Sequence, residues 1–299
     1  MKLATTTGDF NAYTDSQTES LKLIKNAGFK YADYSFGYDY KTKSGIYSSD
    51  FKSYVEKVKE ESEKLGIKLV QAHSPLGKPF LEGGEEFLLD TISCVEACGE
   101  WGIKNLVVHS GYAKDLSVKE TFERNKEFYT PILAKAEEYG INILVENFNK
   151  MSHDDVYWID NAPDLLAIIE YIDHPLFHAV WDVGHANMQE MPQDEALRML
   201  GNHIYALHIH DNMGDRDSHM FPYLGTANLD AVMNGLKEIN YNGYFTFEVG
   251  AIFKAPKFRR TYESDTRLFE PPLSLKISFE NSLFEVGKHI LTSYDCYEE

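Results

Sequence analysis

Cysteine is scarce in this chain: Cys94, Cys98 and Cys296 are the only three in 299 residues. So few thiols, so unevenly placed, cannot build a disulfide framework. Cys94 and Cys98 fall four apart in TISCVEACGEWG, on one face of an expected helix, and read as buried, inert thiols. Long apolar runs are missing too. No stretch approaches the ~18 residues of a membrane span, and MKLATTTGDF at the start reads as a strand, not as a signal peptide. These absences together predict a cytoplasmic protein. No Gly/Ser or Pro tract interrupts the chain, so residues 1–299 are expected to form one domain. There is no G-x-G-x-x-G and no P-loop, so no nucleotide cofactor is implied. Positive charge is short as well. With 29 basic against 47 acidic residues the formal charge is -18, whereas proteins that grip phosphate backbones carry a basic face. Nucleic acid is therefore not the expected partner.

What the chain does contain is a regular beat. IKLVQA closes on His73, NLVV on His109, NILV on Glu146 and HAVW on Asp182, at intervals of 36, 37 and 36 residues. A strand, a crossover helix and two loops take roughly 30 residues or more, so the beat is that of a repeated βα unit. The joins support it: KNAGFKYADYSF, EKLGIKLVQAHS, EWGIKNLVVHS and EEYGINILVENF each put Gly where a helix ends, with an apolar residue just behind it. NYNGYFTFEVG is a looser copy. The runs that follow are continuously apolar, as parallel strands buried on both faces should be.

Eight strands are expected: KLATTT, YADYSF, KLVQAH, NLVVHS, NILVEN, HAVWDV, YALHIH and FTFEV. Helices are expected over residues 16–27, 50–65, 85–100, 118–139, 162–172, 192–200, 228–240 and 278–294, and a long loop over 253–272. The fold class is α/β, a single (β/α)8 barrel, a fold that typically needs about 250 residues and keeps its active site at the C-terminal ends of the strands.

Ligand-type side chains therefore converge on one rim. Glu146, Asp182, His208 and Glu248 end expected strands five to eight, a set of three carboxylates and one imidazole that suits Mn²⁺, Mg²⁺, Co²⁺ or Zn²⁺. His73, His109, His185, Asp217 and His219 form a more histidine-rich outer set, either a second metal site or a lining for sugar hydroxyls or phosphate. His210, although present in YALHIHDN, is not included in either set. The aromatic segment YSFGYDYKTKSGIY reads as a hydrophobic lid or a packed surface loop. Trp101 and Trp158 read as packing residues, Trp181 as pointing into the outer layer, and Lys150 as a solvated lysine or a phosphate contact.

ILVENF, WDVGHANM, LHIHDN, DSH, PYLGT and FTFEV, in that order, resemble the xylose isomerase-like TIM barrels, a superfamily that holds the ketose 3-epimerase type of sugar (phosphate) isomerase and the endonuclease IV enzymes. The resemblance runs from KLATTT to the last helix. It implies a metal-dependent sugar or sugar-phosphate isomerase or epimerase. Glu146, Asp182, His208 and Glu248 would hold the cation, and Glu146 and Glu248 would serve as acid and base through a metal-stabilised enediolate. His185 would contact substrate near its carbonyl, with His73 and His109 lining the pocket. The epimerases carry a substrate-binding Arg soon after the strand-seven His. Arg216 is the nearest counterpart, in a loop that departs from their pattern. All nine positions of the endonuclease zinc pattern also have counterparts here, so a multinuclear zinc phosphodiesterase is the alternative, followed by a polyol-ketone dehydratase and a non-catalytic sugar-binding module. The resemblance also suggests a homo-oligomer.

Overall fold

The computed structural model describes residues 1–149, 159–250 and 271–299. Lys150, Trp158 and the expected loop from 253 to 270 lie outside them. Eight parallel strands follow one another: β1 (Lys2–Thr6), β2 (Tyr31–Ser35), β3 (Lys68–His73), β4 (Asn105–Val107), β5 (Asn142–Glu146), β6 (Phe177–Asp182), β7 (Ile204–His208) and β8 (Tyr244–Phe247). Their order in the sheet is β7-β6-β5-β4-β3-β2-β1-β8. The remaining seam closes just beyond β7, where Ile209 bridges Phe247 in parallel and the Glu248 N–H donates to the Ile209 carbonyl at 3.1 Å. The result is a nearly closed (β/α)8 barrel, as expected.

Between the strands run α1 (Gln17–Asn26), α2 (Gly37–Thr42), α3 (Phe51–Leu65), α4 (Gly84–Trp101), α5 (Val118–Tyr139), α6 (Ala162–Ile172), α7 (Val183–Ala186), α8 (Gln193–Leu200) and α9 (Leu229–Glu238), and α10 (Leu273–Ser293) follows β8. Gly66, Gly102 and Gly140 do sit left-handed at the ends of α3, α4 and α5. The next residue's N–H reaches back to Ser62, Cys98 and Ala136, the six-to-one bond of a Schellman motif. In the looser copy Asn240 takes the left-handed role, not Gly243, and Tyr241 bonds back to Leu236.

Two expectations shift. α10 begins at Leu273, five residues before the expected start, because Pro272 serves as its cap, a place where a missing N–H costs nothing. The aromatic segment after β2 is packed and does not stand as a lid. Tyr34, Phe36 and Ile46 are buried, Tyr40 and Tyr47 meet edge to face, and the Tyr34 hydroxyl donates to Asp39 at 2.9 Å. Trp101 packs on Tyr34 and Phe36, and the Trp181 indole donates outward to Gln193 of α8. Cys94 and Cys98 are buried in α4.

The barrel interior sets the height of the site. Val107, Leu144, Val180 and Ala206 form an apolar cluster of their own, separate from the large core between sheet and helices. Strand side chains alternate faces. The residue two steps on from each of these four therefore also points inward, one layer higher: His109, Glu146, Asp182 and His208. A dry plug thus lies directly beneath a polar layer.

Candidate active site

An inner group of charges occupies that upper layer, and the His208 ring lies at its centre. Its Nδ1 edge is 3.1 Å from Glu146 Oε1 and 4.0 Å from Asp182 Oδ2. Its Nε2 edge is 3.6 Å from Glu248 Oε1 and 3.8 Å from Asp33 Oδ2. The two glutamates thus lie on opposite edges of one imidazole. Glu146, Asp182 and His208 are fully buried, whereas the Glu248 side chain keeps 15% of its surface exposed to the mouth. Gln71 lies under the ring, its amide 2.9 Å from His208 Nε2 and donating to Asp33 at 2.6 Å.

His73 and His109 lean on Glu146 from the other side. Their Nε2 atoms are 3.5 and 3.2 Å from its Oε2 and 3.1 Å from each other. Burial alone would raise the Glu146 carboxyl, but the neighbouring imidazoles of His208, His109 and His185 outweigh it and hold it well below the ordinary range. Burial pushes His109 down to about 3. For His208 burial works the same way, yet Glu248 and Glu146 pull it well above its usual value.

An outer group adjoins the first. Asp182 ends β6 and caps α7, its Oδ1 accepting the His185 N–H at 2.6 Å. That cap is why a histidine three residues on faces back into the site. His185 Nε2 lies 3.3 Å from Asp217 Oδ2, and His219 Nε2 lies 3.2 Å from Asp217 Oδ1. His210 Nε2 lies 3.0 Å from Asp182 Oδ1 and 3.8 Å from Asp217 Oδ1, with its ring stacked on His219 at 3.9 Å. Burial opposes ionisation of Asp217, but His185 and His219 hold it far below the ordinary range. Burial likewise opposes the charged form of His219, yet the Asp217 carboxylate lifts it to about 9.

The loop that carries Asp217 and His219 is tied down at its ends. Asp211 accepts the N–H groups of Gly225 and Ala227 at 2.9 and 3.0 Å, and pairs with Met220 across an antiparallel bridge. This explains the glycine of PYLGT: a Cβ at Gly225 would lie 2.2 Å from Asp211 Oδ1. Beyond β8, next to β1, Lys276 of α10 is buried. Its Nζ is 3.0 Å from Glu280 and 4.0 Å from Asp9. Burial pushes Asp9 up to about 8, with Lys276 working against it and Glu280 and Glu248 adding to it.

The residues fit a divalent cation. Glu146 Oε2, Asp33 Oδ1 and Asp217 Oδ1 are buried oxygens without a hydrogen-bond partner, and buried polar atoms left without one are costly unless something binds them. Ligand atoms lie within 4.8 Å of one another in four sets: His73/Glu146/His208, Asp33/His208/Glu248, Glu146/Asp182/His185, and His185/His210/Asp217/His219. Every expected site residue except Arg216 thus belongs to one of the two groups. Arg216 is exposed on the rim loop and meets Asp215 at 3.4 Å. Asp33, Gln71 and His210 are the additions. Each had a signal in the sequence: a polar residue at an inward position of a strand, or of the residues directly following one.

A family model described as xylose isomerase-like TIM barrel matches residues 21–261. An uncharacterised protein of Methanocaldococcus jannaschii is 34% identical over 167 residues, 53% of this chain and 56% of that protein. The fructoselysine 3-epimerase of Escherichia coli O157:H7 is 26% identical over 145 residues, 48% of this chain and 51% of that protein. The match thus spans about half the length of these curated relatives. Among solved structures, a D-tagatose 3-epimerase-like protein superposes with a TM-score of 0.74 at 21% identity, over 99% of this chain and 98% of that one, a likeness of fold.

Proposed function

The chain belongs to the xylose isomerase-like TIM barrel family, and from that premise we propose that it is a divalent-metal-dependent isomerase or epimerase of a sugar or sugar phosphate. One observation carries the reading: Glu146 and Glu248 flank His208 from opposite edges, and Glu248 is the more exposed of the two. Two carboxylates on opposite sides of a bound ketose are what inversion at a carbon beside the carbonyl requires. One removes the proton from one face, and the other returns a proton to the opposite face.

Glu146, Asp182, His208 and Glu248 would hold the cation. When bound, it would polarise the substrate carbonyl and adjacent hydroxyl and so acidify the C–H between them. Glu248, the more exposed carboxylate, takes that proton. Glu146, ionised in the resting protein by its imidazole neighbours, would return a proton from the far side of His208 after receiving it from His73, whose Nε2 lies 3.5 Å from its Oε2. His73 and His109 line the pocket on the β3–β4 side, placed to donate to the oxygen that becomes negative in the enediolate. On the same rim a cleft of about 460 Å³ is lined by Asn149, Asp160, Asn161 and residues 188–191. It has the amide and carboxylate groups that bind polyol hydroxyls and a volume in the range of small-ligand sites. No helix among the described residues is long and apolar enough to cross a membrane.

The test is solvent hydrogen exchange. Incubated with Mn²⁺ and a panel of ketoses in D₂O, the protein should place deuterium at the carbon next to the carbonyl of its substrate. Glu248→Gln should slow this by about 10²–10⁴-fold; full exchange in that variant would exclude the two-carboxylate mechanism. A second reading has one observation in its favour, the assembly of the outer group beside the inner one, as a multinuclear phosphodiesterase needs. The charge of -18 opposes it, and cleavage of an abasic duplex with Zn²⁺ would establish it.

A further inference from the structure

We propose that Asp33 and Gln71 are a buried clamp beneath His208, which fixes its ring with Nδ1 toward the cation and so sets the affinity of the inner group for its metal. The inference rests on the metal-dependent reading above and concerns how that site is held.

Both residues break the pattern of the barrel interior. Each lies two residues before the end of its strand, Ser35 in β2 and His73 in β3. At the corresponding positions before His109, Glu146, Asp182 and His208 stand the apolar Val107, Leu144, Val180 and Ala206. Asp33 and Gln71 are as fully buried as these. A carboxylate in such surroundings is costly, so stability alone would favour an apolar pair.

The strands are also out of step here. Ala32 pairs with Leu69, but Asp33 pairs with Gln71, so β3 carries one residue more than β2. Side chains alternate along a strand and paired residues share a face. The extra residue therefore turns Gln71, and His73 after it, to the side that Asp33 occupies. Bulges of this kind re-aim side chains beside active sites.

The contacts identify what the pair holds. Gln71 donates to Asp33 Oδ2 at 2.6 Å, and its amide lies 2.9 Å from His208 Nε2. The same Asp33 oxygen lies 3.8 Å from Nε2, while Asp33 Oδ1 is buried without a hydrogen-bond partner. On the other edge of the ring, Nδ1 faces Glu146 at 3.1 Å and Asp182 at 4.0 Å. That is the edge where carboxylates of the inner group gather. A neutral imidazole has one hydrogen. With Nδ1 given to a cation, that hydrogen stands on Nε2 and needs an acceptor. Glu248, 3.6 Å from Nε2, is itself required as a ligand. Asp33 remains, held in place by Gln71. A carboxylate behind a ligating histidine orients the ring and makes the ligating nitrogen more basic. Asp33 and Gln71 are thus positioning residues that act through His208.

The experiment uses the full chain with Mn²⁺ as the probe, followed by calorimetry. Gln71→Leu and Asp33→Asn should each lower Mn²⁺ affinity by about 10–100-fold. The double variant Asp33→Leu/Gln71→Leu should lower it at least as far. Without metal, that variant should unfold at or above the wild-type temperature, because both partners of a buried polar pair are replaced by apolar groups. A lower unfolding temperature with unchanged Mn²⁺ affinity would make the pair purely structural and overturn the proposal. Wild type that binds Mn²⁺, with single variants that bind it as tightly, would also overturn the clamp and leave the isomerase reading intact. No Mn²⁺ binding by the wild type would overturn that reading and the clamp with it. If the variants do not fold, ¹⁵N-histidine spectra of the wild type with Mg²⁺, a diamagnetic ion, decide the matter. His208 should carry its hydrogen on Nε2 and meet the ion through Nδ1; the reverse arrangement would overturn the proposal.

Discussion

The inner and outer groups share one rim, yet the chain delivers them by different means. Glu146, Asp182 and His208 end strands, each one step above a residue of the apolar plug. Barrel packing that needs no ligand fixes their positions. His185, Asp217 and His219 come from a four-residue helix and a loop, held by a cap, by Asp211 and by one another. The donors differ in balance as well: the inner group mixes carboxylates and imidazoles, while the outer group is three imidazoles around Asp217.

The largest effect that would separate the two groups is expected at Glu146. Glu146→Gln removes the carboxylate on which His73, His109, His185 and His208 converge. Deuterium exchange should fall by about 10²–10⁴-fold and Mn²⁺ binding by calorimetry should be lost. Mn²⁺ bound as tightly as in wild type would mean that the inner carboxylates do not hold it.

The converse is Gly184→Ala. Its Cβ would lie 1.9 Å from the His210 ring, so the ring must move. A cost of about 1–3 kcal/mol in urea unfolding is expected, with Mn²⁺ still bound to the inner group. Loss of Mn²⁺ would mean that the two groups act as one site.

Asp9, just after β1, should act through pH alone. Its folded value near 8 lies above the ordinary 3.8, so between these values the folded protein holds a proton that the unfolded chain has released. The contribution is full below about pH 4, declines as pH rises and is gone above about 8. Asp9→Asn stays neutral throughout. Across this window the stability of wild type relative to the variant should fall by up to about 1.4 kcal/mol per pH unit; parallel curves would mean that Asp9 is charged in the folded state.

Arg216→Ala should be the mildest change. The side chain is exposed and meets only Asp215 among the ion pairs of the described residues. Stability should stay within about 0.5 kcal/mol and Mn²⁺ should remain bound. A rise in KM without a change in kcat would show that Arg216 touches substrate.

Much of this arrangement was legible in the residues. The spacing of His73, His109, Glu146 and Asp182 reports the barrel because each βα unit must span the same height and return. The glycine joins report the helix ends because a left-handed C′ residue has few alternatives. The inner donors follow from both. His210 was harder to place, since it lies past the end of β7 where Ile209 makes the last bridge to β8, and no spacing rule says which of two alternating histidines a site uses. Asp33 and Gln71 were passed over because they sit one layer below the strand ends, where apolar plug residues are the usual occupants. The segment after β2 depended on tertiary packing: the same aromatics make a lid or a core according to whether Tyr34 and Phe36 find partners such as Trp101.

The most direct test of the account is anomalous X-ray scattering from crystals grown with Mn²⁺ and Zn²⁺, recorded at each metal's absorption edge. The account predicts a manganese peak among Glu146, Asp182, His208 and Glu248. Manganese absent from the inner carboxylates, with every peak lying among the outer histidines, would contradict it.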